Sequence, residues 1–104
     1  MSTRFAITYS IVLVASVALA AELAKHSYMP DAGYVPDAKT AIKIAVAVWE
    51  PVYGEKQIAK QKPYHANLTN GVWTVEGSYH GVGGVALAEI SKEDARLLRV
   101  THGK

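Results

Sequence analysis

A chain of 104 residues has room for one domain. Its formal net charge of +2 is too near neutral to argue for binding nucleic acid or an anionic membrane surface. It contains no cysteine, so no disulfide holds the fold, which rests on packing or on association with a partner.

Arg4 is followed by an apolar run from Phe5 to Ala21, interrupted mildly by Thr8, Ser10 and Ser16. Ala18-Leu19-Ala20 puts small residues at the two positions a signal peptidase reads. Residues 1–20 therefore read as a signal peptide cleaved after Ala20, and the mature protein as periplasmic or secreted. The alternative is a retained anchor, for which about 17 residues is the lower limit of spanning. No cysteine follows the run, so lipid attachment there is excluded. Removing 20 of 104 residues leaves 84, near the lower end for a self-sufficient core.

Residues 21–36 form a polar lead-in containing Pro30, Gly33 and Pro36, whose Tyr28, Met29, Tyr34 and Val35 either hang free or lie across the domain. The domain itself is expected over residues 37–104. Asp37 is a good helix N-cap. After it Ala38, Ala41, Ile42, Ala45, Val48, Trp49 and Val52 recur at helical spacing as one apolar stripe. Ile44, Val46 and Ala47 leave the opposite side less polar than a solvated helix has, which suits a helix covered on more than one side or one offered to a partner. Pro51 and Gly54 predict a helix end near Glu50 or Val52.

Glu55 to Lys62 is ambiguous. Extended, it places Lys56, Ile58, Lys60 and Lys62 on one side, as on a charged edge strand, with Pro63 at its limit. Such a strand is either simply solvated or a contact surface for an acidic partner.

Asn70-Gly71 between two alternating runs predicts a two-residue type I′ hairpin. That fixes the pairs Thr69–Val72, Leu68–Trp73, Ala66–Val75 and His65–Glu76. Tyr64, Ala66, Leu68, Trp73 and Val75 then face a core, while His65, Asn67, Thr69, Thr74 and Glu76 face water. Val85 to Ile90 reads as a third strand, Ser91 to Ala95 as a turn and Arg96 to Thr101 as a fourth strand, with Leu98 and Val100 sharing one side. The fold class is α+β, one main helix packed on a four-stranded antiparallel meander. Its expected core is Ile42, Trp49, Leu68, Trp73, Val75, Leu98 and Val100, with the two tryptophans meeting beneath the helix.

No catalytic, cofactor or metal motif stands out. Gly81-x-Gly83-Gly84 is followed by strand-like residues and no lysine-serine pair, so it reads as a loose connection rather than a phosphate loop. His26, His65, His80 and His102 lack metal-ligand spacing. His65 is expected opposite Glu76, and the meander has the option of bringing His80 and His102 together. Glu93-Asp94 is a turn pair, and the Asn67-Leu68-Thr69 sequon lies inside a predicted strand. The mature chain is rich in tyrosine, a residue that interfaces favour, and Tyr79 beside the glycine loop is the best exposed anchor.

From Val35 onward the chain resembles the short bacterial immunity proteins assigned to the nuclear transport factor 2 (NTF2) fold. The residues carrying the match are Pro36-Asp37-Ala38-Lys39-Thr40-Ala41, Trp49-x-Pro51-x-Tyr53-Gly54-Glu55, Gln61-x-Pro63, Gly71-Val72-Trp73-x-Val75-x-Gly77, Gly83-Gly84 and Leu98-Arg99-Val100-Thr101-His102-Gly103-Lys104. Ala95 departs from the pattern, where a turn glycine is expected after Asp94. The resemblance implies a non-enzymatic protein that binds and neutralises a toxin; with the signal peptide, it does so in the periplasm or envelope. The leading reading is an exported immunity protein that acts by steric occlusion and takes no cofactor. The matched residues read as scaffold, so the contact residues are chosen on exposure beside the glycine loop and basic edge: Lys60, Lys62, Tyr79, His80 and Val82. Two other readings stand beside this one, a small envelope protease inhibitor or regulator and a small-ligand-binding NTF2-like domain.

Overall fold

The computed structural model describes residues 27–81 and 83–103. The expected signal peptide, the start of the lead-in, Val82 and Lys104 lie outside the described residues. Helix α1 spans Ala38–Tyr53. It begins where the Asp37 carboxylate accepts the Thr40 N–H at 2.8 Å, satisfying a donor that the first turn leaves without a partner. The Thr40 side chain and then this backbone bond, more than any neighbouring charge, hold the Asp37 carboxyl below its ordinary value of 3.8. Ala41, Ala45 and Trp49 are fully buried, and Ala38 and Ile42 pack half-buried against the same core. Pro51 sits inside the helix, which runs to Tyr53, one residue beyond the expected limit. A proline in the last turn removes one backbone bond without ending the helix; Gly54, at φ 93°, ends it.

The expected basic edge strand is instead a second helix, α2, Glu55–Ala59. The residues around it are good helix formers, and Lys56 and Lys60 share a side at helical as well as extended spacing. Fully buried Ile58 fixes α2 against the core.

Four strands follow as one antiparallel meander in the order β1 (His65–Thr69), β2 (Val72–Glu76), β3 (Ala86–Ser91) and β4 (Leu97–His102). Asn70 at φ 51° and Gly71 at φ 75° make the first turn, and the β1–β2 register is the one that a two-residue loop dictates. Between β3 and β4 a bulge shifts the register, so that Leu97 faces Ile90 and Val100 faces Ala88. Leu97 rather than Leu98 therefore shares a side with Val100, which corrects the alternation read from sequence.

Helix α1 packs on β1, β2 and β3. Beneath it Trp49, Trp73, Val75, Ala86, Ala88 and Ile90 are buried. Three expected core residues are not: Leu68, Leu98 and Val100 are 45%, 45% and 36% exposed. Each lies on an outer strand, where sheet neighbours exist on one side only, and β4 also lacks a covering helix. The tryptophans share the core without pairing ring on ring. Trp49 meets Tyr64, with centroids 5.9 Å apart, while the Trp73 indole N–H donates to the Val35 carbonyl at 2.8 Å. That bond, with fully buried Val35, draws the end of the lead-in into the domain. Backbone bonds from Tyr34 and Val35 to Glu93 and Lys92, at 2.9 and 3.0 Å, strap it to the β3–β4 turn.

Ala95 in that turn has φ 65°, the left-handed conformation that glycine adopts without cost. Ala95→Gly is expected to stabilise the domain by about 1 kcal/mol, seen as a melting temperature raised by roughly 4–8 °C. The opposite holds at Gly77, where an added Cβ would lie 2.7 Å from the Gln61 Cβ; Gly77→Ala should cost about 1–3 kcal/mol through overpacking. For Asp37, the depressed carboxyl contributes stability that is present above its ordinary value of 3.8 and is lost as pH falls through the lower folded value. Asp37→Ala should therefore melt below wild type at neutral pH, and the gap should close as the solution is acidified below that range.

Candidate protein-binding site

Four of the five residues singled out in the sequence are among those described, and they converge where the chain leaving α2 crosses the connection from β2 to β3. Gln61 is the joint. It is 93% buried, the complement of its 7% exposure; its side-chain oxygen accepts the Ala86 N–H at 2.8 Å, and its carbonyl accepts the Ser78 N–H at 2.7 Å. Gly77 lies flat against it because no side chain fits there. These contacts explain two of the quoted sequence pieces, Gln61-x-Pro63 and the glycine of Val75-x-Gly77, as halves of one clamp.

Around the clamp, the His80 ring bonds the Lys62 carbonyl at 2.7 Å. A carbonyl only accepts, so Nε2 carries the proton. Ser78 donates its hydroxyl to the Pro63 carbonyl at 2.5 Å, and His65 Nε2 lies 3.2 Å from the same hydroxyl oxygen. His65 also sits opposite Glu76 in the register. Lys60, Lys62, Tyr79 and His80 all stand exposed, Tyr79 at 67%. Lys60 and His80 also line a groove of about 460 Å³, with Gln57, Gln61, Ser78 and Gly84, while Lys62 and Tyr79 stand outside its lining. This rim, the exposed surface around the clamp, thus carries two lysine charges, an aromatic and an imidazole held to backbone. Lys60 and Lys62 stand on a helix end and the turn after it, so the sequence chose them on a strand that does not exist.

His80 and His102 are not brought together as bonded partners, for His102 Nδ1 meets the Tyr53 hydroxyl at 3.0 Å, ring edge to ring face. Among the described residues no group of three His, Asp or Glu could hold a metal ion. The shifted titrating groups serve the scaffold. Asp94 is held low chiefly by the Arg96 N–H, and burial, then the Glu50 charge, pushes the Tyr64 hydroxyl up while it donates to the Ile58 carbonyl at 2.9 Å.

A second groove, of about 640 Å³, opens at the turn end of the sheet between the lead-in, the β1–β2 turn and the β3–β4 turn. Its charges alternate in sign, Asp31 and Glu93 against Lys92 and Arg96, and its lining includes no histidine. Sequence reasoning did not find it, because its walls come from three distant stretches joined through backbone bonds from Val35 to Lys92 and from Lys92 to Gly71.

A curated relative from Escherichia coli strain K12, named "Uncharacterized protein YhhH", is 36% identical over 67 residues, which are 62% of this chain and 53% of the relative. The chain thus spans about half the length of that relative. No solved structure matches it. The family described as NTF2 fold immunity protein matches residues 40–104, from the first turn of α1 through α2 and the whole sheet. One main helix on a four-stranded antiparallel sheet agrees with a short NTF2-like α+β fold, and the chain belongs to the NTF2 fold immunity protein family.

Proposed function

We infer that this protein confers immunity by binding a toxin and covering the surface through which the toxin acts, without catalysis of its own. The family match over residues 40–104 carries this reading, because it takes in nearly all of the packed domain. The clipped rim of Lys60, Lys62, Tyr79 and His80 supports it further. A rigid surface loses little freedom on binding, and tyrosine is a recurrent anchor of protein interfaces. Val82, between Gly81 and Gly83, belongs to the same proposed surface by sequence position. Export rests on the Arg4 to Ala20 pattern and places the encounter in the periplasm or outside the cell.

The test is co-expression with the product of the neighbouring gene directed to the periplasm. The full chain should restore growth and co-purify with that product, and a version lacking residues 1–20 should not protect. Lys60→Glu with Lys62→Glu should weaken the complex by about tenfold and flatten its salt dependence. Growth arrest unrelieved by the full chain, with no complex to any neighbouring product, would refute the reading.

A further inference from the structure

The last strand offers more than a scaffold. β4 is an outer strand, and among the described residues no other strand pairs with its far edge. Which backbone groups face that edge follows from the ladder. The Gly103 N–H bonds the Val85 carbonyl at 3.0 Å, and the register pairs Thr101 with Leu87 and Arg99 with Glu89. Hydrogen-bonded pairs alternate along an antiparallel ladder, so Gly103, Thr101 and Arg99 turn their backbone toward β3. Val100 and His102 therefore turn their N–H and C=O groups outward.

The side chains carry a second signal. Through the register, Leu97, Val100 and His102 stand on the helix side of the sheet, opposite Ile90, Ala88 and Ala86. Yet α1 covers β1, β2 and β3, and Leu97 and Val100 remain 43% and 36% exposed. The stretch is also one-sided in charge. From Arg96 to Lys104 the sequence holds three cations, Arg96, Arg99 and Lys104, and no acid. Arg99 is partly neutralised by Glu89 at 2.6 Å, and Arg96, exposed at the strand's start, shares its turn with Asp94.

We propose that β4 is a docking edge that accepts an extended, acidic segment of a partner protein as a fifth antiparallel strand. Backbone bonds to Val100 and His102 give the affinity, apolar side chains of the guest cover Leu97 and Val100, and guest carboxylates meet Arg96. A second copy of this chain is a poor guest. Two β4 edges would oppose like charges, and β1, the other outer strand, contains no acid in His65–Thr69. The bulge between Glu89 and Ile90 bends the start of β4 and discourages indiscriminate pairing, which leaves the regular stretch from Arg99 onward for a selected guest. The docking edge adjoins the rim described above, since Val85, bonded to Gly103, follows Gly84 of the rim groove. That the guest belongs to the toxin rests on the immunity reading; the edge itself does not.

The experiment has two arms. In the first, the mature chain is titrated with a short extended peptide alternating glutamate and valine, and with its lysine-valine counterpart. Amide exchange at Val100 and His102 should slow by about tenfold once the acidic peptide exceeds its dissociation constant tenfold, while Thr101, bonded to β3 already, stays unchanged. No slowing, or equal slowing by the lysine peptide, would overturn the proposal. In the second arm, Val100→Pro and Arg96→Glu are each assayed for protection against the toxin. Val100→Pro deletes an outward N–H and no bond to β3, and a thermal melt verifies that both variants are folded. Loss of protection by folded variants supports the toxin as guest. Full protection by both overturns the toxin as guest while immunity stands, and failure of wild type to protect overturns immunity; in either case the peptide arm decides the edge.

Discussion

One helix has to cover four strands, and it is too narrow to do so. Neighbouring strands lie about 4.8 Å apart, so the outer axes of a four-stranded sheet are separated by about 14 Å. A helix with its side chains is about 10 Å across. Helix α1 therefore settles over β1, β2 and β3, and the body of β4 is left outside the roof. The burial values follow from that mismatch. Val75, Ala88 and Ile90 on the middle strands are fully buried, whereas residues of the outer strands facing the same way are not.

The same shortage of covering material explains how a small chain without cysteine holds its shape. Two backbone-directed bonds from buried side chains close the domain at opposite ends of the sheet. Trp73 fastens the lead-in through the Val35 carbonyl, and Gln61 fastens the exit from α2 through the Ala86 N–H. Each draws a segment with little core of its own onto a sheet whose register is already set. Tyr53 and His102 supply a smaller tie between the end of α1 and β4. Such fastenings are what allow the rim residues to stand exposed on ordered backbone, the condition for a surface that recognises one partner with little loss of freedom.

Local chemistry made some elements legible in advance. The Asp37 cap, the Ala41–Ala45–Trp49 stripe and the Asn70-Gly71 turn are written in adjacent residues, and the first hairpin's register follows once its loop length is known. Ala95 was visible as a missing glycine, and its φ of 65° shows why a glycine is expected there. What the chain conceals depends on its three-dimensional surroundings. Alternation cannot tell a five-residue helix from a strand at Glu55–Ala59, because lysines spaced by four repeat in both. A bulge leaves no mark in the sequence, so Leu98 was assigned to the side that Leu97 takes. Nor does an apolar residue announce that its strand will lie at the rim of the sheet, which is why Leu68 and Val100 read as core. The candidate contact lysines lie on a helix end rather than a strand, and Lys60 and His80 line one groove because Gln61 pins the exit from α2 to the β2–β3 connection. Nothing in residue order alone foretold that pin.

The placement of α1 over three strands only is the claim on which the open β4 edge depends. Side-chain nuclear Overhauser contacts in solution test it most directly. Ala45 and Trp49 should show contacts to Val75 and Ala88, and Leu97 and Val100 should show none to α1 apart from the Tyr53–His102 corner. Strong contacts from the body of α1 to Leu97 and Val100 would mean that the helix roofs β4 after all, and the account would fail.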